Sequence, residues 1–270
     1  YYTARQNLSL ATICAAIRAR NLKEKSPAIP EITALLLSKF AELATANCRW
    51  ESVAECPRSI FTRHDLPAMW DFAEVVPISS SSGGFEQTLE NLVGTLRRIE
   101  SDWFPGSVQQ ANATKSPLPM ESTAVWFTDP PYYDAVAYAD LSDFFYVWLK
   151  RALPQHAILK DPYDPSNPLV PKHQELTVTT VAERNGNPKT SSDFEHGVAA
   201  SFAEGVNITR EDGIGCVVFA HKTTEGWEAL LSGMLAAGWV IVASWPVATE
   251  MRHRFNARDV AALATSVHLV

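Results

Sequence analysis

Apolar residues near the start of the chain fall at helical spacing. Leu10, Ile13, Cys14 and Ile17 follow i, i+3, i+4, i+7, which is one face of a helix. Ile32, Leu35, Leu36, Phe40 and Leu43 form a second stripe, and SPAIP at 26–30 should break the chain between the two. A third stripe runs through Phe85, Leu89, Leu92, Val93, Leu96 and Ile99, and SSSSGG at 79–84 offers N-cap residues and a flexible entry to it. RHDLPAMWDFAEVVP at 63–77 shows no period and reads as an ordered loop rich in aromatic and acidic residues. Together these predict a mainly helical region over 1–115.

From about residue 120 the pattern changes. TAVWFTD (123–129) is a short apolar run ending in an acid, and IGCVVFAH (214–221) is a β-branched run long enough for a buried strand. TTEGWEALLSGMLAAG (223–238) reads as a helix: Thr223 or Thr224 can cap it, Glu225 and Glu228 suit its positive end, and Gly238 can end it. WVIVASWPV (239–247) and LATSVHLV (263–270) predict two further strands. Strand, helix, strand at this spacing predicts a βαβ unit in a mostly parallel sheet, and so an α/β region over 116–270. The polar stretch 155–190, punctuated by Pro162, Pro165, Pro168, Pro171 and Pro188, reads as a long surface excursion.

Composition narrows the class. With 270 residues, 46% hydrophobic and 20% charged, the chain suits one large domain or a domain with a sizeable appendage. No apolar run reaches bilayer length, so no membrane is expected. The chain begins at Tyr1, not Met, which suggests a processed chain or a fragment. Cys14, Cys48, Cys56 and Cys216 form no C-x-x-C pair, so reduced thiols and a cytoplasmic setting are expected. A net charge of −7 argues mildly against nucleic acid as a partner, although an acidic protein can carry a local basic face.

Candidate chemistry gathers where the first predicted strand stops. Asp129 ends that strand, and Pro130, Pro131, Tyr132 and Tyr133 follow it. In a parallel α/β sheet the ligand crevice lies at the carboxyl ends of the strands. The prolines fix φ and remove two backbone donors. Asp129 and the Pro130 carbonyl can then each accept one N–H of an exocyclic amine, with Tyr132 stacking on the ring that carries it. The plainer reading of Asp-Pro-Pro is a strand leaving for a turn.

Asp129-Pro130-Pro131-Tyr132 resembles the D-P-P-Y motif of amino-group DNA methyltransferases, the N6-adenine class above all. The extension YYDAVAYADLSDFFYVWLKR, together with RHDLPAMWDFAEVVP, NCRW, FAHKTTEGWEALL and SWPVATE, is similar to the large adenine-specific DNA methylases over nearly the whole chain. The resemblance implies a Rossmann-like methyltransferase sheet using S-adenosylmethionine (SAM), with DNA as partner. It implies that Asp129 and Pro130 polarise the target amine, that Pro131 stiffens the motif, and that Tyr132 and Tyr133 meet the extruded base. Asp129 would also lie against the cofactor.

The chain departs from that family in one respect. The glycine-rich cofactor loop that precedes D-P-P-Y in such enzymes is missing, and 12 glycines in 270 residues is about 4%, below the usual ~7%. Gly213-Ile214-Gly215 opens a predicted strand where a cofactor loop should follow one, so it reads as a turn. The expectation is therefore a partial sheet, the carboxyl-terminal part of a methylase, whose SAM loop sits on a missing amino-terminal half or a partner subunit. An RNA or protein amide methyltransferase, and a catalytically incomplete DNA-binding or assembly subunit, are the alternatives.

Other candidates are weaker. EMRHRFNAR at 250–258 brings Arg252, His253, Arg254 and Arg258 together between two predicted strands, as phosphate contacts or as a solvated loop. Lys222 follows a strand and can face the crevice, while Lys150 and Arg151 close a helix and complement its dipole. His221 reads as structural, Asp143 as a first-turn acid, and Asp134 as a group within reach of the site. The remaining histidines lack metal-ligand spacing. Trp70, Trp148, Trp227 and Trp245 read as core.

Overall fold

The structure, a computed structural model, describes residues 1–23, 26–58, 60–63, 66–99, 104–134, 136–162, 164–179, 188–247 and 266–270. The chain is mixed α/β, with six α-helices and a mixed four-stranded sheet among the described residues. It divides into two compact units, residues 1–107 with 138–171, and 108–137 with 172–270. The division is not the expected one at 115/116. Residues 138–171 return to the helical unit, because the helix they open buries its apolar face there.

In the first unit, α1 (Ala4–Asn21) starts at a capping box in which Thr3 Oγ1 accepts from Gln6 N and Thr3 N donates to the Gln6 side chain. It buries Leu10, Cys14 and Ile17, as the spacing predicts. α2 (Ala28–Leu43) begins inside SPAIP, with Pro27 as N-cap and Pro30 in the first turn, where a missing N–H removes no helical bond. Its buried face turns on Ala34, Leu37, Phe40 and Ala41, while Leu35 of the predicted stripe is 60% exposed. A short hairpin follows, β1 (Arg49–Glu51) against β2 (Cys56–Arg58).

α3 (Phe85–Leu96) is capped by Gly84, not by a serine side chain, and Phe85 meets Phe40 edge-on at 5.7 Å. α4 (Tyr138–Ala152) buries Phe144, Trp148 and Ala152 at i, i+4, i+8. Asp143 lies in its second turn, not its first, and accepts from the Val170 amide at 2.9 Å. Trp148 Nε1 donates to the Tyr2 hydroxyl, whose pKa burial pushes well above the ordinary tyrosine range.

The second unit holds β3 (Thr123–Thr128), α5 (Ser191–Ile208), β4 (Thr209–Phe219), α6 (Thr224–Ala236), β5 (Ser244–Val247) and β6 (Ser266–Leu269). The sheet order is β3-β4-β6-β5. Only β3 and β4 run parallel; β6 is antiparallel to both β4 and β5. The expected mostly parallel sheet with β4 beside β5 is thus corrected, because β6 inserts between them. The backbone just before β5 follows the same chain end: the Val242 and Ala243 amides both donate to the Val270 carbonyl. A period-2 pattern reports which side chains are buried, and strand direction leaves no trace in it.

α5 and α6 pack on one face of this sheet, with Phe194, Val198 and Phe202 of α5 and Leu230 and Met234 of α6 meeting Val217, Phe219 and Leu269. On the opposite face Val125, Phe127, Ile214 and Trp245 are 53–60% exposed. Trp148 is buried and Trp227 packs against the sheet core, but Trp70 and Trp245 are exposed, contrary to the reading of all four as core. Within the segment read as a surface excursion, Leu159, Asp161 and Thr177 are buried. All four cysteines are free thiols, and Cys14 and Cys216 are buried as expected. No helix among the described residues is long and apolar enough to cross a membrane.

Candidate active site

β3 and β4 are in parallel register, Phe127 opposite Cys216 and Thr128 opposite Val217, so both strands end on the same side of the sheet. Asp129 follows the last residue of β3, and its side chain is exposed. At the matching end of β4 lie His221 and Lys222; His221 is buried and Lys222 exposed. The sheet therefore brings Asp129 and His221, 92 residues apart in the chain (221 − 129), to one edge.

The chain leaving β3 is tied down at successive points. The Pro131 carbonyl accepts from the Tyr133 amide at 3.1 Å, closing a tight turn, and Tyr133 sits in the left-handed region at φ 55°. The Tyr133 carbonyl accepts from the Val178 amide at 3.0 Å. Tyr132 packs edge-on against Phe219 at 5.6 Å, and Tyr133 against Phe194 at 5.1 Å and His221 at 5.4 Å. Two aromatic rings anchored in the sheet core offset the cost of the strained backbone between them.

Beside this turn lies a cleft of 330 Å³. It is lined by Trp126, Thr128, Asp129, Pro130 and Pro131 from β3 and the turn after it, by Ser201, Phe202, Glu204 and Gly205 of α5, and by residues from 111–113 and 116–117. Asp129, Pro130 and Pro131 thus line one cavity. Tyr132 and Tyr133 do not line it; both rings face the core beneath the turn. Lys222 stands in the β4–α6 turn outside the lining. Arg252 and Arg254, with His253 and Arg258, lie outside the described residues.

Sequence reasoning passed over α5 entirely. Its signal is present: Thr190 and Asp193 make a reciprocal capping box, and Phe194, Val198 and Phe202 recur at i, i+4, i+8. The polar run before it hid the stripe. Within the cleft, Glu204 is fixed by the Ser116 amide at 2.7 Å and the Asn207 side chain at 3.3 Å. Two carboxylates, Asp129 and Glu204, therefore line the same space.

The glycines of β4, of the cleft lining and of the turn before α3 are closed in by their own chain. Gly213 and Gly215 lie inside β4, not in a turn, and a Cβ on Gly215 would come within 2.5 Å of Trp239. A Cβ on Gly205, in the cleft wall, would meet Trp126 at 2.6 Å. At Gly83 and Gly84 the same space is filled by Pro57 and the Ser79 carbonyl. At each of these positions the space beside the glycine is taken by the chain itself, so none of them leaves a cradle for SAM. No group of three His, Cys, Asp or Glu side chains that could hold a metal occurs among the described residues; His156, which the sequence gives no metal-ligand spacing, pairs with Glu31 at 3.1 Å.

The cleft is thus a proline-edged hollow beside β3 and α5 that carries two carboxylates, Asp129 where β3 ends and Glu204 from α5, both able to accept hydrogen bonds from a planar amine. No protein-family model, curated protein or solved structure matches the chain, so the chemistry of this cleft rests on its own residues.

Proposed function

We propose that this chain supplies the amine-gripping, carboxyl-terminal portion of an N6-adenine DNA methyltransferase with a Rossmann-like sheet. The reading rests on one observation above others: Asp129 is exposed at the end of a strand paired in parallel, and lines a 330 Å³ cleft together with Pro130 and Pro131. Ligands of α/β sheets bind at such strand ends.

The N6 lone pair of adenine is delocalised into its ring and attacks poorly. Asp129 accepts one amine hydrogen and the Pro130 carbonyl the other. Both acceptors favour a more tetrahedral nitrogen and free the lone pair. The prolines hold the second acceptor in place before the substrate arrives, and preorganised charge of this kind is where most of the rate in such a site comes from. The target base must leave the duplex to reach the cleft. Tyr132 and Tyr133 hold the turn from the core side, which keeps Asp129 at the lip. SAM would be the methyl donor, carried by residues on a preceding segment or on a partner subunit.

The test is a product assay with labelled donor and adenine-containing DNA, run with the chain joined to the segment or partner subunit that carries the donor, comparing it with the same assembly bearing Asp129→Ala. Label on N6 that falls at least ~10²-fold in the variant supports the reading, a loss in the range seen when an electrostatic group at the reacting atom is removed. Label that persists in the variant overturns it, and label on RNA or on a protein amide moves the substrate to another class.

A further inference from the structure

Asp134 and His221 lie outside the cleft, yet they join the turn after Asp129 to the end of β4. His221 Nε2 is 3.1 Å from Asp134 Oδ1, and the Thr223 amide approaches His221 Nδ1 at 3.2 Å. A backbone N–H can only donate, so Nδ1 is the acceptor and Nε2 carries the proton given to Asp134. The ring is buried, flat against Phe219 at 6.1 Å and 19°, and beside Tyr133. Gly226 makes room for it, since a Cβ there would come within 2.3 Å of Nδ1. The Trp227 indole N–H donates to the His221 carbonyl at 3.1 Å.

We infer that His221 is a positioning residue: in its Nε2–H form it latches the turn after Asp129 to the end of β4 through Asp134, and so fixes where Asp129 and Pro130 stand. Without the latch, Asp134 is an exposed carboxylate on a turn held by the Val178 amide and two ring contacts. The charged groups around the ring are Asp134 from the turn, Glu225 from α6 and Lys222 beside it in the chain; the Glu225 amide, then the Thr223 hydroxyl, holds Glu225 below the ordinary carboxylate range. What the latch serves rests on the function proposed above; what it holds does not.

Glutamine and asparagine separate the two ring nitrogens. The amide nitrogen of Gln stands near Nε2 and keeps the donor to Asp134, whereas Asn reaches only as far as Nδ1 and loses it. Two readouts are taken on the full chain: hydrogen-exchange protection of the Val178 amide, and preference for a single-stranded oligonucleotide containing adenine over the same strand carrying purine without the 6-amino group. Both should fall about tenfold in His221→Asn and in Asp134→Ala, and stay within about twofold of the unmodified chain in His221→Gln, the scale of one hydrogen bond to a charged group. Should His221→Asn be swapped in with both readouts unchanged, or should His221→Gln fail equally, the latch is overturned. If Val178 protection responds as expected but the unmodified chain shows no preference for the amine, the proposed function fails and the latch is reduced to a structural tie.

Discussion

The indole of Trp126 lies nearly flat on that of Trp239, ring centroids 5.4 Å apart and planes 12° from parallel. Two glycines make the stack possible, Gly205 in α5 beneath Trp126 and Gly215 in β4 beneath Trp239. The stack matters to the cleft because Trp126 is part of its wall.

Gly205→Ala therefore reverses the usual rule. Alanine in a helix interior ordinarily gains up to about 1 kcal/mol over glycine, but overpacking a well-filled core costs about 1–3 kcal/mol. A net loss of stability is expected, and Gly215→Ala should also be destabilising. Gly94 in α3 has nothing within 4 Å of its missing Cβ, so Gly94→Ala should gain about 0.5–1 kcal/mol. Urea denaturation of the three variants checks the contrast in sign.

The cap of α5 gives a pH dependence. Asp193 is held below the ordinary aspartate range chiefly by the Thr190 amide, then by the Thr190 hydroxyl. A carboxyl lowered on folding adds stability that is complete above its ordinary value, about pH 4, and is lost as pH falls through the lower folded value. Asp193→Asn should thus melt at a lower temperature than the unmodified chain at pH 7, with the gap narrowing below about pH 4. Thr190→Ala removes the other half of the box and should cost about 1 kcal/mol at neutral pH.

Much of the fold is legible in the sequence because burial leaves a period. The stripe of Leu10, Cys14 and Ile17 gives α1, and the run 214–221 ends in the strand that buries Val217 and Phe219. Thr223 and Gly238 mark the ends of α6, Thr223 by accepting from the Gly226 amide and Gly238 by a φ of 94°. What stays hidden is set by partners far along the chain. β6 takes the place beside β4 through hydrogen bonds that no local pattern encodes, and α4 departs to the helical unit between β3 and α5. For the site, Asp129, Pro130 and Pro131 could be read from their place at a strand end. Glu204 could not, since its relevance depends on α5 crossing the cleft, and neither could the pairing of Asp134 with His221, which are 87 residues apart.

Removing the Phe219 ring should disturb the site from beneath. Phe219 is fully buried and carries Tyr132 edge-on and His221 face-on. Phe219→Ala should cost about 3–5 kcal/mol. Phe219→Leu, which keeps most of the volume, should cost less than half of that while still loosening the turn, as a fall in Val178 amide protection would report.

Titration of SAM into this chain tests the glycine geometry. With Trp126 and Trp239 filling the spaces beside Gly205 and Gly215, no heat of binding is expected at micromolar concentrations. A saturable isotherm in that range would show that residues of this chain hold the donor without a glycine loop.

The grip of Asp129 on an exocyclic amine is tested most directly by equilibrium binding. Fluorescence anisotropy compares two single strands that differ only in the 6-amino group of one purine, against the chain and against Asp129→Ala. A hydrogen bond to a charged group is worth about 1.5–3 kcal/mol, so the adenine strand should bind roughly tenfold to a hundredfold more tightly to the unmodified chain. In Asp129→Ala the difference should shrink to within about threefold, the share left to the Pro130 carbonyl as a neutral acceptor. Equal affinities for the two strands in the unmodified chain would contradict the account.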